Sequence, residues 1–240
     1  MSSQPTVSAF WDGVYSSTEY ARVAEMRVVG PALERFGDIG GKTLLEIGCG
    51  PGAASLFFAA RGANVIAVDV SAKAINDLKE HCARNSIANV HAVCTDAFGI
   101  ETLPQVDFVY GSMILHHIEP FPRFASVLRQ RMKPGAIGFF YENSATSQLL
   151  IWFRQHLVGR LWIPKYGDAE EFPLTPGEID ELRRHFRVEV EYPEMMFFRL
   201  ASQYLFRDHL SAFCGAIDDL FYRRRWMLRY SYRQFVILRA

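Results

Sequence analysis

The feature that most constrains this chain is a short apolar strand that runs straight into a turn with three glycines. Residues 44–52 read Leu-Leu-Glu-Ile-Gly-Cys-Gly-Pro-Gly. Because glycine has no Cβ and tolerates positive φ, such a turn can bend sharply while its backbone presses against a bound group. Open α/β sheets bind ligands at the carboxyl ends of their strands, which is where Gly48, Gly50 and Gly52 lie. The turn therefore predicts a ligand site at the end of the first strand.

Strands and helix-length segments alternate through the first 143 residues. Five apolar segments have strand length and composition: 43–47, 64–68, 90–94, 106–110 and 137–141. Strands separated by helices form βαβ units, which predict a mostly parallel sheet with helices on both faces. Ser71 is expected to cap the helix that follows the second strand, because its hydroxyl can accept a bond from a first-turn amide.

The chain after residue 143 breaks this rhythm. Two segments, 144–173 and 195–229, are rich in aromatic residues, and residues 195–225 are expected to be mostly helical. Between them, Thr175-Pro176-Gly177-Glu178 has the pattern of a capping box with proline at the first helical position, so a helix is predicted to about His185. Strand candidates follow at 187–192 and 231–238.

Composition narrows the class of protein. Half of the 240 residues are apolar, which is enough for one substantial core, and the 26 basic residues balance the 26 acidic ones, which favours no nucleic-acid partner. The four cysteines form no Cys-x-x-Cys pair, so they favour neither a zinc site nor a disulfide framework. No signal-peptide pattern and no apolar run near the ~20 residues of a membrane helix are present. We expect a metal-free, soluble, cytoplasmic protein.

Acidic residues follow the first three strands at spacings that resemble one family. The carriers of the resemblance are Glu46-x-Gly48-x-Gly50-x-Gly52, Asp69, Asp96, Asp107-Phe-Val-Tyr-Gly-Ser-Met-Ile-Leu-His-His-Ile118 and Arg131-Met-Lys-Pro-Gly135. Together they resemble the class I S-adenosylmethionine-dependent methyltransferases of the small-molecule, metal-independent branch. The resemblance implies a Rossmann-like, mostly parallel seven-stranded sheet with an antiparallel C-terminal strand and helical cap insertions. It also implies one domain over 1–240, divided into a lid (1–35), a cofactor core (36–143) and an acceptor side (144–240).

The same resemblance implies S-adenosylmethionine as the cofactor. Glu46 suits a cationic ligand, Asp69 would bind both ribose hydroxyls with one carboxylate, and Asp96 would contact the adenine amino group. Ala97 would donate its backbone amide to the adenine ring. The predicted cofactor-binding set is Glu46, Gly48, Cys49, Gly50, Gly52, Asp69, Val70, Asp96, Ala97 and Gly111.

His116 and His117 are the candidate bases. Histidine titrates near neutrality, so either one can accept a proton from the attacking group. Neighbouring residues at a strand end tend to point to opposite sides, so one is expected to face the site while the other packs inward. We favour His116, because family members with a single histidine here place it straight after the leucine. Tyr15 or Tyr20 is expected to close the site, or else to pack its helix on the sheet edge.

Two alternatives come from other classes of protein. A dinucleotide-dependent oxidoreductase needs the fingerprint Gly-x-Gly-x-x-Gly, but position 53 is Ala53, and Glu46 would repel a pyrophosphate. A methyltransferase-like protein that binds without catalysis is the second alternative. The complete set of Glu46, Asp69 and Asp96 argues against it.

The acceptor is indicated only by class. The family resemblance implies that the two aromatic-rich segments, 144–173 and 195–229, are insertions on the acceptor side. Aromatic side chains in the two insertions would suit a large apolar acceptor such as a lipid, polyketide or isoprenoid, although they would equally suit a helical cap that packs on itself. The basic run 223–225 is open to three interpretations: a peripheral membrane surface, an anionic acceptor site, or salt bridges to Asp218 and Asp219. We therefore expect methyl transfer to an oxygen, nitrogen or carbon of a small molecule, with no nucleic-acid acceptor.

Overall fold

The fold is built on one seven-stranded sheet. The computed structural model describes residues 6–17, 24–156, 172–195, 197–200, 202 and 209–240. The strands are β1 (Thr43–Ile47), β2 (Asn64–Asp69), β3 (Val90–Cys94), β4 (Val106–Ser112), β5 (Met132–Asn143), β6 (Arg187–Glu191) and β7 (Arg233–Arg239). Their order is β3-β2-β1-β4-β5-β7-β6, and β7 runs antiparallel to both of its neighbours while the other pairs are parallel. The predicted fold class is confirmed.

Helices cover both faces of this sheet. They are α1 (Val7–Ser17), α2 (Met26–Phe36), α3 (Ala53–Ala59), α4 (Ala72–Arg84), α5 (Phe121–Arg131), α6 (Gln148–His156), α7 (Pro176–His185) and α8 (Ser211–Tyr222). One apolar core joins α2 and α3 to one face of the sheet, with Phe36 and Phe58 at its centre. A second core joins α5 and α7 to the opposite face through Phe124 and Leu182. Burial of these two apolar faces holds the strand ends, and hence the site, in a fixed arrangement.

Both predicted helix caps are present. The Ser71 hydroxyl accepts a hydrogen bond from the Ala74 amide at 3.1 Å and so begins α4. Thr175 and Glu178 form the capping box of α7, with the Glu178 amide 3.2 Å from the Thr175 hydroxyl and the Thr175 amide 2.6 Å from the Glu178 carboxylate. These short-range patterns decide where the two helices begin.

One strand is longer than the sequence pattern predicts. β5 begins at Met132, so Pro134 and Gly135 lie inside the strand instead of forming a turn before it. The reason is a partner from the far end of the chain: the Gly135 amide donates to the Ala240 carbonyl at 3.1 Å, and the Ala240 amide donates to the Ala136 carbonyl at 3.0 Å. A local pattern cannot show a hydrogen-bond partner so distant in sequence.

The predicted division into lid, core and acceptor side stays a prediction. Only α1 has the position of a lid, because α2 packs its buried residues Val28, Val29 and Phe36 into the sheet core. Tyr20 and residues 157–171, which belong to the predicted lid and first insertion, lie outside the described residues. None of the described helices combines the length and apolar character needed to cross a membrane.

Candidate active site

The glycine turn between β1 and α3 adopts backbone angles that favour glycine. Gly48, Gly50 and Gly52 have φ values of 70°, 50° and 85°. A Cβ on Gly50 would lie 2.8 Å from the Tyr15 hydroxyl oxygen, so the α1 helix approaches the bare backbone of the turn. Larger residues would be strained at these positive φ values, and one at Gly50 would displace the Tyr15 ring.

Asp69 ends β2 and is fixed by the backbone around it. Its carboxylate accepts hydrogen bonds from the Gly50 amide and the Ser71 amide, both at 2.8 Å. Only 6% of the residue is exposed. Burial raises the pKa of the Asp69 carboxyl, although these amides oppose the rise. The carboxylate is therefore preorganised at the strand end, where a hydroxyl-bearing ligand can reach it.

Glu46, near the end of β1, is a second buried acid. The Ser55 hydroxyl at the start of α3 donates a hydrogen bond to its carboxylate. Burial raises the pKa of Glu46 to about 8. A cationic group bound next to Glu46 would favour its ionised form, so this position suits an ammonium ligand.

Two clefts meet above the ends of the central strands. The larger cleft has a volume of about 610 Å³ and is lined by α1, by the ends of β2 and β3, and by the segment after β4. The smaller cleft, of about 330 Å³, is lined by the start of α2, the glycine turn, and the ends of β4, β5 and β7. Gly48, Ser112 and Met113 line both clefts. We call this shared point the junction.

Most of the predicted cofactor-binding residues line these clefts. Gly48, Asp69, Val70, Asp96 and Ala97 line the larger cleft. The smaller cleft takes Glu46, Gly48 and Cys49. Asp96 also orders its own loop, because its carboxylate accepts the Phe98 and Gly99 amides at 3.0 and 2.8 Å.

Gly111 lines neither cleft. It lies within β4, and the space that its Cβ would need is taken by Phe140 and Ile114 at 2.7 and 2.8 Å, so a glycine is required here for close packing of the sheet. Its predicted contact with the cofactor stays a prediction. A pattern of residue types could not separate these two roles.

The two histidines lie on a 3₁₀ turn, Leu115–His117, after β4. The His116 side chain is 1% exposed, and its Nδ1 lies 2.6 Å from the Glu142 carboxylate. His117 lines the larger cleft and makes an edge-to-face contact with Trp11, with ring centroids 5.6 Å apart. The structure therefore corrects our preference for His116: His117 faces the cleft, and His116 is the inward partner.

Glu142 is a site residue that our sequence reasoning missed. It ends β5, its side chain is fully buried, and it accepts hydrogen bonds from the Ile114 and Leu115 amides at 2.9 and 2.7 Å. One carboxylate thus fixes both the backbone of the histidine turn and the ring of His116. Its position at a strand end, like those of Glu46 and Asp69, was the signal that could have identified it.

Two arginines of the smaller cleft were also missed. Arg27, near the start of α2, pairs with Glu25 at 2.9 Å, and Arg233 begins β7. Cys49 lines the same cleft, and burial raises the pKa of its thiol, so it stays protonated and unreactive. Arg27 and Arg233 give this cleft two cations that can bind anionic groups.

The α1 helix is fastened over the larger cleft. The Asp12 carboxylate accepts hydrogen bonds from the Ser71 hydroxyl at 2.5 Å and the Lys73 amide at 3.0 Å, at the start of α4. The Ser8 hydroxyl donates to the Val70 carbonyl at 3.0 Å. These contacts place Tyr15 at the glycine turn, where it lines the cleft. Within the described ranges, no three His, Cys, Asp or Glu residues are grouped to hold a metal.

The sheet order, the glycine turn and the strand-end acids together define a fold that binds an adenosyl cofactor. A family model described as "Methyltransferase domain" matches residues 44–135. A solved SAM-dependent methyltransferase from Aquifex aeolicus has a TM-score of 0.60 over 95% of this chain and 97% of that chain, at 16% identity. Coclaurine N-methyltransferase, solved with N-methylheliamine and SAH, also has 0.60, over 88% and 71% of the two chains, at 14% identity. At these identities the solved structures support the fold.

Curated relatives agree with this assignment. The ubiquinone biosynthesis O-methyltransferase of Rickettsia bellii is 25% identical over 170 residues, which are 70% of each chain. The enzyme of that name from Cronobacter sakazakii is 28% identical over 181 residues, 73% of each chain. The chain therefore carries a methyltransferase domain at residues 44–135, on the fold of the class I S-adenosylmethionine-dependent methyltransferases. Its cofactor is S-adenosylmethionine, so the alternative of a dinucleotide-dependent oxidoreductase is not supported.

Proposed function

We propose that this enzyme methylates an oxygen of a small aromatic or lipid-like acceptor, and that transfer takes place at the junction of the two clefts. The observation that carries the proposal is the position of His117, a possible proton acceptor in the larger cleft beside Met113 and Ser112. The names of the curated relatives, which are O-methyltransferases, support oxygen as the nucleophile.

The three predicted acids and Ala97 each bind one part of the cofactor in this proposal. Asp96 and Ala97 hold the adenine, and Asp69 holds the ribose hydroxyls. Glu46 meets the ammonium of the methionyl tail, and Arg27 meets its carboxylate in the smaller cleft. When bound, the cofactor supplies an electrophilic methyl group on a sulfonium. The buried acids fit this group, because Glu46 lies where a cation would favour its ionised form.

The protein's own contribution is positioning and proton removal. His117 accepts the proton of the acceptor hydroxyl as that oxygen attacks the methyl carbon. Glu142 and His116 fix the turn that carries His117, since Glu142 binds two amides of this turn. Trp11 and Tyr15 cover the cleft and exclude water, which favours in-line transfer between closely held atoms.

A His117→Ala variant tests the proposal. We expect a clear fall in kcat with a panel of phenols, while calorimetry shows affinity for S-adenosylhomocysteine within about twofold of the unmodified protein. His91→Ala, an exposed histidine of β3, is the matched control. Full activity of the His117 variant would remove the histidine base, and products methylated only on nitrogen or carbon would reject an oxygen acceptor.

A contact with an anionic membrane surface is a second proposal, which would bring a lipid-like acceptor to the enzyme. Phe213, Leu220 and Trp226 are 66%, 63% and 63% exposed, and Arg223 and Arg224 lie beside them. Exposed apolar residues next to arginines suit a lipid surface. Arg223→Ser with Arg224→Ser should reduce cosedimentation with phosphatidylglycerol vesicles. Equal binding to phosphatidylcholine vesicles, or no binding by the unmodified protein, would reject the proposal.

The free cysteines support a cytoplasmic location.

A further inference from the structure

Arg233 lies on the acceptor side of the junction. It is the first residue of β7, and its Nη1 donates to the Asn143 side-chain oxygen at 2.5 Å and lies 3.2 Å from the sulfur of Met113. Its guanidinium carbon is 5.4 Å from the ring centroid of Tyr141 and 5.8 Å from that of Tyr232. The side chain is thus held against the smaller cleft, next to a residue of the junction.

The hydrogen bonding of this guanidinium is incomplete. Its Nε is buried and has no hydrogen-bond partner among the described residues. Among the ion pairs of the described residues, none includes Arg233. Arg233 is half-buried, and no described carboxylate pairs with its charge, so the arrangement favours an anionic ligand in the cleft. The planar fork of arginine binds both oxygens of a carboxylate.

The other charged groups of the smaller cleft are Glu25, Arg27 and Glu46, and Glu25 pairs with Arg27 at 2.9 Å. Glu46 and Arg27 take the ammonium and the carboxylate of the methionyl tail under the proposed function. Arg233 is on β7, two strands beyond β4 in the direction away from β2 and β3, where the nucleoside is placed. It therefore lies on the opposite side of the junction from the proposed nucleoside site.

We propose that Arg233 binds a carboxylate of the methyl acceptor, so that the preferred acceptors are phenolic acids and not neutral phenols. The inference rests on the proposed function, because it takes a small aromatic acceptor at the junction as given. Arg233 could also bind the carboxylate of the methionyl tail by the same chemistry. Measuring the affinity for the acceptor and the affinity for S-adenosylhomocysteine separately tells these two carboxylates apart.

The test uses hydroxybenzoates and their methyl esters, titrated by calorimetry into protein saturated with S-adenosylhomocysteine. We expect the unmodified protein to bind the acids at least roughly tenfold more tightly than the esters, and Arg233→Gln to abolish this preference. Arg233→Lys keeps the charge and should retain part of the preference. Arg239→Gln, an exposed arginine at the other end of β7, is the matched control. Affinity for S-adenosylhomocysteine alone should stay within about twofold in all variants.

Three results would overturn the inference. The first is an unmodified protein without preference for the acids, including one that binds neither set. The second is an unchanged preference in Arg233→Gln. The third is a tenfold loss of S-adenosylhomocysteine affinity in that variant with the preference intact, which would assign Arg233 to the methionyl tail. Preference for the acids without any methylated oxygen would reject the proposed function and leave this inference supported.

Discussion

The polar groups at the carboxyl edge of the sheet fall into two halves that are built in different ways. The cofactor half lies at the ends of β1, β2 and β3, and the acceptor half lies at the ends of β4 and β5 and the start of β7. On the cofactor side, Asp69 is held by the Gly50 amide, 19 residues away along the chain. On the acceptor side, Glu142 is held by the Leu115 amide 27 residues away, and Arg233 contacts Met113 across 120 residues. The cofactor half is therefore a local motif, while the acceptor half is assembled from distant strands. This difference explains why the donor of the methyl group is identified more readily than its acceptor.

Breaking the local motif should have the largest effect. Asp69→Ala should weaken S-adenosylhomocysteine binding roughly 30-fold, about 2 kcal/mol, because charge-assisted hydrogen bonds to the ribose are lost. The loss also leaves the Gly50 and Ser71 amides without their acceptor. Isothermal calorimetry measures the affinity, and Glu80→Ala, an exposed acid of α4, serves as control. Unchanged affinity would refute the ribose assignment.

A change on the acceptor side should spare cofactor binding. Glu142→Gln keeps the shape of the side chain but loses the charge that orients His116, so kcat should fall roughly tenfold while S-adenosylhomocysteine affinity is retained. Single-turnover methyl transfer measures the chemical step. Because a structural defect would also lower the melting temperature, thermal melts accompany the assay.

Glu101→Gln, an exposed acid of a 3₁₀ turn, is the control for that variant. Equal losses of cofactor affinity and kcat in Glu142→Gln would mean that the two halves of the site are one unit. That result would erase the distinction between the local and the assembled half.

The same distinction explains what the sequence predicted. The glycine turn, Asp69 and the Ser71 cap depend on neighbours along the chain, so their positions follow from residue type and spacing. The choice between His116 and His117 does not, because a carboxylate from another strand decides which ring is buried.

Other site features depend on tertiary contacts in the same way. In the sequence, Arg233 is an ordinary residue at the start of a strand. It contacts Met113 because β7 pairs with β5. Gly111 matches a cofactor motif by type, but Phe140 and Ile114 occupy the space above it. Sequence reasoning could not locate these residues, because long-range pairing of strands decides their surroundings.

Glu46 makes the stability of the cofactor half depend on pH. Its pKa is raised by burial to about 8, so the folded state holds a proton that the unfolded state releases. The stability that depends on the protonated Glu46 carboxyl is complete below the pKa that this group has in the unfolded chain. It is lost as the pH rises to about 8. Without cofactor, the melting temperature should therefore fall by roughly 10 °C over this range, and Glu46→Gln should flatten the dependence.

Differential scanning fluorimetry with and without S-adenosylhomocysteine measures this effect. Bound ligand should reduce the fall, since its ammonium group stabilises the ionised Glu46. Asp69 contributes in the same direction, because burial raises its pKa as well. A dependence of equal size in Glu46→Gln would assign the effect to Asp69 instead.

The smallest effect is expected from a change in α1, the helix that covers the larger cleft. Asp12 attaches this helix to the start of α4 through the Ser71 hydroxyl and the Lys73 amide, and these contacts lower the pKa of its carboxyl. Asp12→Ala should raise the dissociation rate of S-adenosylhomocysteine about threefold, because Trp11 and Tyr15 then cover the cleft less persistently. Stopped-flow dissociation gives the rate, with Ser16→Ala as the control, since the Ser16 hydroxyl donates to the Asp12 carbonyl within α1. An unchanged rate would show that α1 stays in place without this contact, and the larger cleft would then be a fixed part of the cofactor half.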